Sequence, residues 1–333
     1  MSDTIRWGIM GTGVIARKFA DGLAVLPDAT LVAVGSRSRE SADAFGALYG
    51  VERRHDSYEG LAHDPGVDVI YIATPHTLHR ENAILCLEAG KAVLCEKPFT
   101  INAAEAREVV ALARARGVFL MEAMWTRFIP VFAHIRALLA EGVLGEMRML
   151  MADFGFRAPF DAEQRLFNPA LGGGALLDVG VYPVSLASLV FGGQPARIMS
   201  QAHLGETGVD EESAMLFGYD RGQMALLSCA VRTETPQTAV IAGTEGLIRI
   251  PPRWWCARSF ALETPGAPEQ IFTPAAEGNL YNYEAAEVMR CLREDLTESA
   301  IMPLDETIAI METLDAVRAP WGLVYPSERA AGA

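Results

Sequence analysis

Between residue 5 and about residue 122, short unbroken apolar runs alternate with stretches whose apolar residues recur every three or four positions. The runs, near 5–10, 30–35, 68–73, 92–95 and 118–121, predict strands buried on both faces. Helical spacing fills 14–26, 38–49, 79–89 and 102–116, the last preceded by Thr100 as a cap, with Glu105 and Glu108 in its early turns. Strand and helix in this alternation predict a parallel sheet covered by helices, a Rossmann-like half.

After Met121-Glu122-Ala123-Met124-Trp125 the pattern changes. A helix is predicted over 130–141, a strand over 147–156, and a glycine-rich loop with a helix over 172–190. Stretches of alternating polarity follow at 198–204, 213–219, 223–231, 238–242 and 247–250, punctuated by Asp220-Arg221-Gly222 and Thr244-Glu245-Gly246. They predict an open, largely antiparallel sheet, with helices at 281–295 and 305–318 closing the chain. The fold class expected is α/β: a Rossmann domain over 1–123 and an α+β domain over 124–333, a cleft between them being the default site.

Charge and composition narrow the partners. A net charge of −14 without any basic run argues against nucleic acid, whose phosphates need dense Lys and Arg. The apolar runs look too short and interrupted to span a membrane. Met1-Ser2-Asp3-Thr4-Ile5-Arg6 leads into a strand without a secretory pattern, so a cytoplasmic protein is expected. Cys86, Cys95, Cys229, Cys256 and Cys291 are odd in number and widely spaced, which favours free thiols over disulfides or a metal site.

Ile5 to Met10 run into Gly11-Thr12-Gly13-Val14-Ile15-Ala16, a strand entering G-x-G-x-x-A and then a helix. Small residues at these positions let the turn close and the backbone approach a pyrophosphate, while the helix N-terminus faces the anion. An NAD site usually closes its second strand with an acid for the ribose hydroxyls. Here Ser36 stands at that place, followed by Arg37 and Arg39, whose guanidinium groups suit the extra phosphate of NADP(H).

Two further strand ends carry chemistry. Thr74-Pro75-His76-Thr77-Leu78-His79 follows one, where the proline ends the strand and turns the next residues toward the cofactor; His76 and His79 lack a third metal ligand of matching spacing. Glu96-Lys97-Pro98 follows the other and sets a lysine at the ligand-binding edge. In the second half, Asp178 and Tyr182 lie four apart behind Gly172-Gly173-Gly174 and project from one helix face. A phenol titrates near pH 10 in water, so Tyr182 needs a cation such as Lys97 to act as acid/base at neutral pH. Asp178 would then orient the substrate hydroxyl or the lysine.

Gly11 to Ala16, Glu96-Lys97-Pro98 and the Asp178 to Tyr182 segment together resemble the glucose-fructose oxidoreductase, inositol dehydrogenase and MocA family over nearly the whole chain. Phe119 to Phe128 and the Asp178 to Pro183 run are most similar to its dimeric dihydrodiol dehydrogenase and NADP-dependent D-xylose dehydrogenase branch. The resemblance implies a Lys97–Tyr182 catalytic pair, and Tyr182, where many members carry histidine, makes inositol a poorer candidate substrate. It implies that Trp125 and Arg127 approach the nicotinamide, that Phe154 and Trp254 line the substrate pocket, and that the second sheet pairs with its twin in a homodimer. Arg157 and Arg165 are expected to shape the same pocket. The expected activity is NADP-dependent hydride exchange with a hydroxyl or carbonyl carbon of a sugar or cyclic diol. The rivals are a non-catalytic NADP-binding regulator and a nicotinamide-assisted glycoside hydrolase or lyase.

Overall fold

The computed structural model describes residues 4–330; Met1 to Asp3, expected to lead into the first strand, lie outside the described residues, as do 331–333. The chain begins β1 (Ile5–Met10), α1 (Val14–Leu23), β2 (Ala29–Gly35), α2 (Arg39–Tyr49), β3 (Arg53–His55), α3 (Tyr58–Ala62), β4 (Val69–Ile72), α4 (His79–Glu88), β5 (Ala92–Glu96), α5 (Ala103–Arg116) and β6 (Leu120–Ala123). It continues through α6 (Pro130–Ala140), β7 (Met147–Gly155), α7 (Val181–Phe191), β8 (Arg197–Leu204), β9 (Asp210–Gly218), β10 (Met224–Ala230), β11 (Ala239–Gly243), β12 (Leu247–Ile250), β13 (Phe260–Glu263) and β14 (Gln270–Phe272). The helices α8 (Asn282–Arg293), α9 (Leu304–Arg318) and α10 (Pro326–Ala330) close it.

Six parallel strands make the first sheet, in the order β3-β2-β1-β4-β5-β6. Every residue of β4, β5 and β6 is buried, as a sheet with helices on both faces requires. The strand order reverses between β1 and β4, so their carboxyl ends flank the crevice where such sheets bind ligands. The short strand β3 escapes the hydrophobic pattern because it is Arg53-Arg54-His55; two of its polar side chains end on the buried carboxylate of Asp64.

The described chain divides into two units: the residues up to Thr100, Ala104–Phe128 and Glu277–Thr307 in the first, Ile101–Ala103, Ile129–Ala276 and the residues from Ile308 on in the second. Where the hydrophobic pattern suggested one cut near 123, the first unit takes back a late segment. The reason is packing: α8 buries Ala285, Val288, Met289 and Cys291, and the chain around it closes on α1 at Gly22. A β-carbon at Gly22 would meet Asn279, Asn282 and Tyr281 at 2.9 to 3.1 Å.

Eight strands form the second unit's sheet, in the order β14-β13-β12-β11-β7-β10-β9-β8, all antiparallel except β7 with β10. Leu150, Ala225, Leu227, Phe217 and Ile241 are buried on one face, beneath α7. The other face keeps Met199, Leu216, Leu226 and Met151 in one cross-strand row, 38% to 68% exposed. One expectation is corrected here. The stretch Pro169–Phe191, with mean hydropathy 1.6, is long and apolar enough to cross a membrane, yet 83% of its most apolar window is buried in the protein. Four of the five cysteines are buried, Cys256 is half-buried, and all five are thiols outside any disulfide.

Candidate active site

The turn after β1 is shaped for close approach. Gly11 has φ +106°, and a β-carbon there would stand 2.8 Å from the Ala73 carbonyl oxygen at the end of β4. Gly13 caps α1 with no side-chain partner for the helix amides and no acid in the first turn, and nothing lies within 4 Å of where its β-carbon would be. Thr12 and Ile15 flank this space partly exposed, and Val14 is 74% exposed. Unpaired amides, a positive helix end and open space fit the pyrophosphate of a dinucleotide.

At the end of β2 the Ser36 hydroxyl accepts the Ser38 N–H at 3.3 Å, and Ser38 caps α2 through Ser41. Arg37 is exposed and reaches the Tyr58 hydroxyl. Arg39 is 62% exposed and pairs with Asp43 one turn along α2. No acid stands at the strand end, and two exposed arginines follow it.

The edge after β4 and β5 is tied together from beneath by His79. It is fully buried, with Nδ1 2.9 Å from the Pro98 carbonyl and Nε2 2.9 Å from the Thr74 carbonyl. Burial pushes its pKa down, the carbonyls oppose that shift, and the ring brackets the two loops. His79, expected among the cofactor contacts, thus stands beneath that edge as a brace between the two loops. Asn82 adds a bond to the Thr74 hydroxyl at 3.0 Å. His76, on the turn after Pro75, is buried with its ring 5.8 Å from His79; among the described residues no three metal-ligating side chains cluster.

Glu96 positions the lysine rather than reacting. It is buried, accepts the Tyr71 hydroxyl on one oxygen and the Lys97 backbone N–H at 3.1 Å on the other. Lys97 itself is partly exposed. Trp125 stacks on Tyr281, ring centroids 4.7 Å apart. Arg127, expected near the nicotinamide, is 5% exposed in its side chain and pairs with Glu306 at 2.7 Å.

In the second unit, Asp178 lies in a π-helical turn (Leu176–Gly180) that runs directly into α7, which carries Tyr182 in its first turn. Such wide turns recur at functional sites because they re-aim side chains. Both residues are 6% exposed. Arg165 donates to Asp178 at 2.7 Å. Phe154 on β7 stands 5.2 Å from the Tyr182 ring and stacks on Trp255 at 3.4 Å. Trp254, expected in the pocket, is 0% exposed and its indole N–H donates to the Asp153 carbonyl at 2.8 Å. Trp254 thus packs in the core, and Trp255 is the tryptophan stacked on Phe154. Arg157 is exposed and forms a backbone bridge to Arg232, whose guanidinium lies over Phe160 and Phe167 and secures the loop carrying Arg165.

Comparison with known proteins places the chain in a family. Residues 5–124 match an oxidoreductase family model with an NAD-binding Rossmann fold, and residues 132–249 match the GFO/IDH/MocA C-terminal domain. The chain belongs to the GFO/IDH/MocA oxidoreductase family. This family member is 40% identical to the trans-1,2-dihydrobenzene-1,2-diol dehydrogenase of Mus musculus and 39% identical to that of Homo sapiens, in each case over 98% of this chain and 99% of the relative. A 3-ketoreductase from Actinomadura kijaniata, solved with NADP and TDP-benzene, superposes with a TM-score of 0.84 at 26% identity, covering 95% of this chain and 97% of its own. An aldose-aldose oxidoreductase from Caulobacter crescentus shares the fold, with a TM-score of 0.87, 23% identity and 98% coverage of both chains.

Three further residues near these elements carry no signal in the sequence. Trp255 was hidden by its neighbour Trp254. Glu284 on α8 is fully buried in the first unit; burial, then the charge of Glu96, holds its carboxyl protonated well above the usual range. Glu122, at the end of β6, is pushed up to about 7 by burial, with Thr307 and Arg127 opposing.

Proposed function

We propose that this oxidoreductase is NADP-dependent and interconverts a secondary hydroxyl and a carbonyl on a sugar or cyclic diol, a dihydrodiol or aldose such as D-xylose being the class to try first. The observation that carries the reading is the second unit's arrangement: a tyrosine hydroxyl and a carboxylate set against the flat apolar wall of Phe154 and Trp255. A ring or short carbon chain packs on that wall, while its hydroxyls need the polar groups beside it. Support for the cofactor comes from the arginines after β2 and from NADP in the related ketoreductase.

In this reading Tyr182 moves the hydroxyl proton and Lys97 supplies the positive charge that favours the phenolate and the developing alkoxide. Asp178, steadied by Arg165, accepts a hydrogen bond from a substrate hydroxyl and orients the carbon. NADP(H), when bound, takes or gives the hydride. The ketoreductase has also been solved with a lysine replaced by alanine and with a tyrosine replaced by phenylalanine, the same two residue types.

The protein is further proposed to work in the cytoplasm as a homodimer joined through the exposed face of the second sheet. The apolar row Met199, Leu216, Leu226 and Met151 across four adjacent strands supports that interface.

The test is reduction of NADP, followed at the reduced-nicotinamide band, with a panel of trans-dihydrodiols and aldoses. Lys97→Ala and Tyr182→Phe should each lower kcat by roughly 100-fold or more while NADPH still binds. Near-normal turnover in both variants would refute the assigned chemistry.

A further inference from the structure

We infer that Asp210 and Tyr325 form a positioning clamp that fixes the start of the π-turn and so aims Asp178 and Tyr182. The inference rests on the roles proposed for those two residues.

The observations lie within the second unit. Gly174 precedes the turn with φ +123°, and its carbonyl accepts the Asp178 N–H at 3.3 Å. A helix start leaves amides without partners, and this one has no local capping side chain. Asp210, 34 residues away at the start of β9, fills that need: one carboxylate oxygen accepts the Leu176 N–H at 2.6 Å. The other presses on Gly174, where a β-carbon would stand 2.2 Å from it. From the opposite side the Tyr325 hydroxyl donates to the Gly173 carbonyl at 2.9 Å. Both residues are 0% exposed.

Tyr325 is in turn held in place. The Arg318 guanidinium lies 5.4 Å from its ring centroid and is itself bound by Asp315 and by Glu328, which also accepts the Tyr325 N–H at 2.8 Å. The glycines of the loop therefore serve close packing: a β-carbon at Gly173 would meet the carbonyl oxygens of Arg165, Leu166 and Asn168 at 2.8 to 2.9 Å.

A buried carboxylate is an expensive way to cap a turn. Burial pushes Asp210 up to about 7, opposed by the amides of Leu176 and Ala175 and by the charge of Arg318. A serine or asparagine in the loop itself could have capped the amides at no such penalty. What the remote acid adds is direction, since it ties the turn to β9 instead of to its own loop.

Asp210→Ala, Asp210→Asn and Tyr325→Phe are compared with the wild type for kcat, KM, NADPH affinity, unfolding midpoint and deuterium uptake over 174–182. With a clamp, Asp210→Ala lowers kcat about 100-fold, the loss that a misplacement near 1 Å produces. Asp210→Asn, whose oxygen still accepts the Leu176 N–H, recovers most of it. Tyr325→Phe loses roughly fivefold, the equivalent of one neutral hydrogen bond. NADPH affinity stays within about twofold of wild type throughout, because the dinucleotide seat lies in the other unit.

Should Asp210→Ala fail to fold, Tyr325→Phe carries the test, since it removes only a hydroxyl. Turnover within about twofold of wild type in Tyr325→Phe and in every folded Asp210 variant overturns the clamp. So does equal loss in Asp210→Asn and Asp210→Ala. Tyr182→Phe, run alongside, separates the two ideas: if it keeps full turnover the assigned chemistry fails, and the clamp is judged by deuterium uptake over 174–182. Uptake then rises in Asp210→Ala and Tyr325→Phe alone, or the clamp fails too.

Discussion

Gly11 and Gly13, two residues apart in one loop, should fail in different ways when replaced by alanine. At Gly11 the new methyl would stand 2.8 Å from the Ala73 oxygen, 3.1 Å from its carbonyl carbon and 3.4 Å from the Thr74 nitrogen. All three are backbone atoms, and the Ala73 N–H is bonded to Met10 at 2.9 Å, so none can rotate away. The positive φ adds about 1–2 kcal/mol for any residue with a β-carbon. Disturbing the bonded strand end adds about 1 kcal/mol more. The cofactor-free protein should therefore lose roughly 2–3 kcal/mol in the transition of its first unit.

At Gly13 the backbone has φ −72°, open to any residue, and the methyl would meet nothing within 4 Å. Cofactor-free stability should hold within about 0.5 kcal/mol, with any change toward greater stability. The methyl would instead fill space that a pyrophosphate needs, weakening NADPH at least ~10-fold, which is about 1.4 kcal/mol. Urea unfolding followed by intrinsic fluorescence and NADPH fluorescence titration give both quantities. Should Gly13→Ala bind NADPH within about twofold of wild type, the open space beside α1 is not the dinucleotide seat.

Arg37→Ala should weaken NADPH by ~10-fold or more and leave NADH nearly unchanged, the worth of one charge-assisted bond to phosphate; equal losses would show that Arg37 does not read it. Leu226→Asp puts a charge in the middle of the exposed apolar row and should give a monomer by analytical ultracentrifugation, whereas a persistent dimer would place the interface elsewhere. Asp64 provides a pH signature: burial would raise its pKa, but Arg53, the Gly66 N–H and His55 hold it down at about 2. Because the folded value lies below the unfolded one, its contribution is complete above about pH 4 and fades as the pH falls toward 2, about 2.5 kcal/mol in all. Asp64→Asn should flatten that acid limb of the unfolding free energy, and an unchanged limb would rule the carboxylate out as its source.

What could be read from the chain beforehand follows from how local each signal is. The strand, turn and helix around Gly11 are contiguous, so periodicity and glycine spacing announced them, and the parallel order followed from the alternation of elements. The same holds for Glu96-Lys97-Pro98, at the end of a strand buried throughout. His79 was placed at the ligand by its position after a strand end, and Arg127 and Trp254 by the family resemblance. Their burial depends on carbonyls and acids elsewhere: Pro98 for His79, Glu306 for Arg127, Asp153 for Trp254.

The residues that escaped notice share one property, a partner remote in sequence. Glu284 became part of the first unit only because α8 returns to α1, and an acid among Ala285, Val288 and Cys291 reads as a surface residue until that return is known. Tyr71 meets Glu96 across 25 positions, and Asp210 meets Leu176 across 34. Neither pair leaves a spacing signature, because the chain separation between two strands or a strand and a turn is set by loop length, not by chemistry. The glycine run before Asp178 illustrates the limit. It invites a ligand-binding reading, yet contacts account for Gly173 and Gly174 by steric need alone, against backbone carbonyls and the Asp210 carboxylate. The functional content of that loop then lies in what the glycines admit: a buried acid and a tyrosine hydroxyl close enough to orient the helix that bears Tyr182.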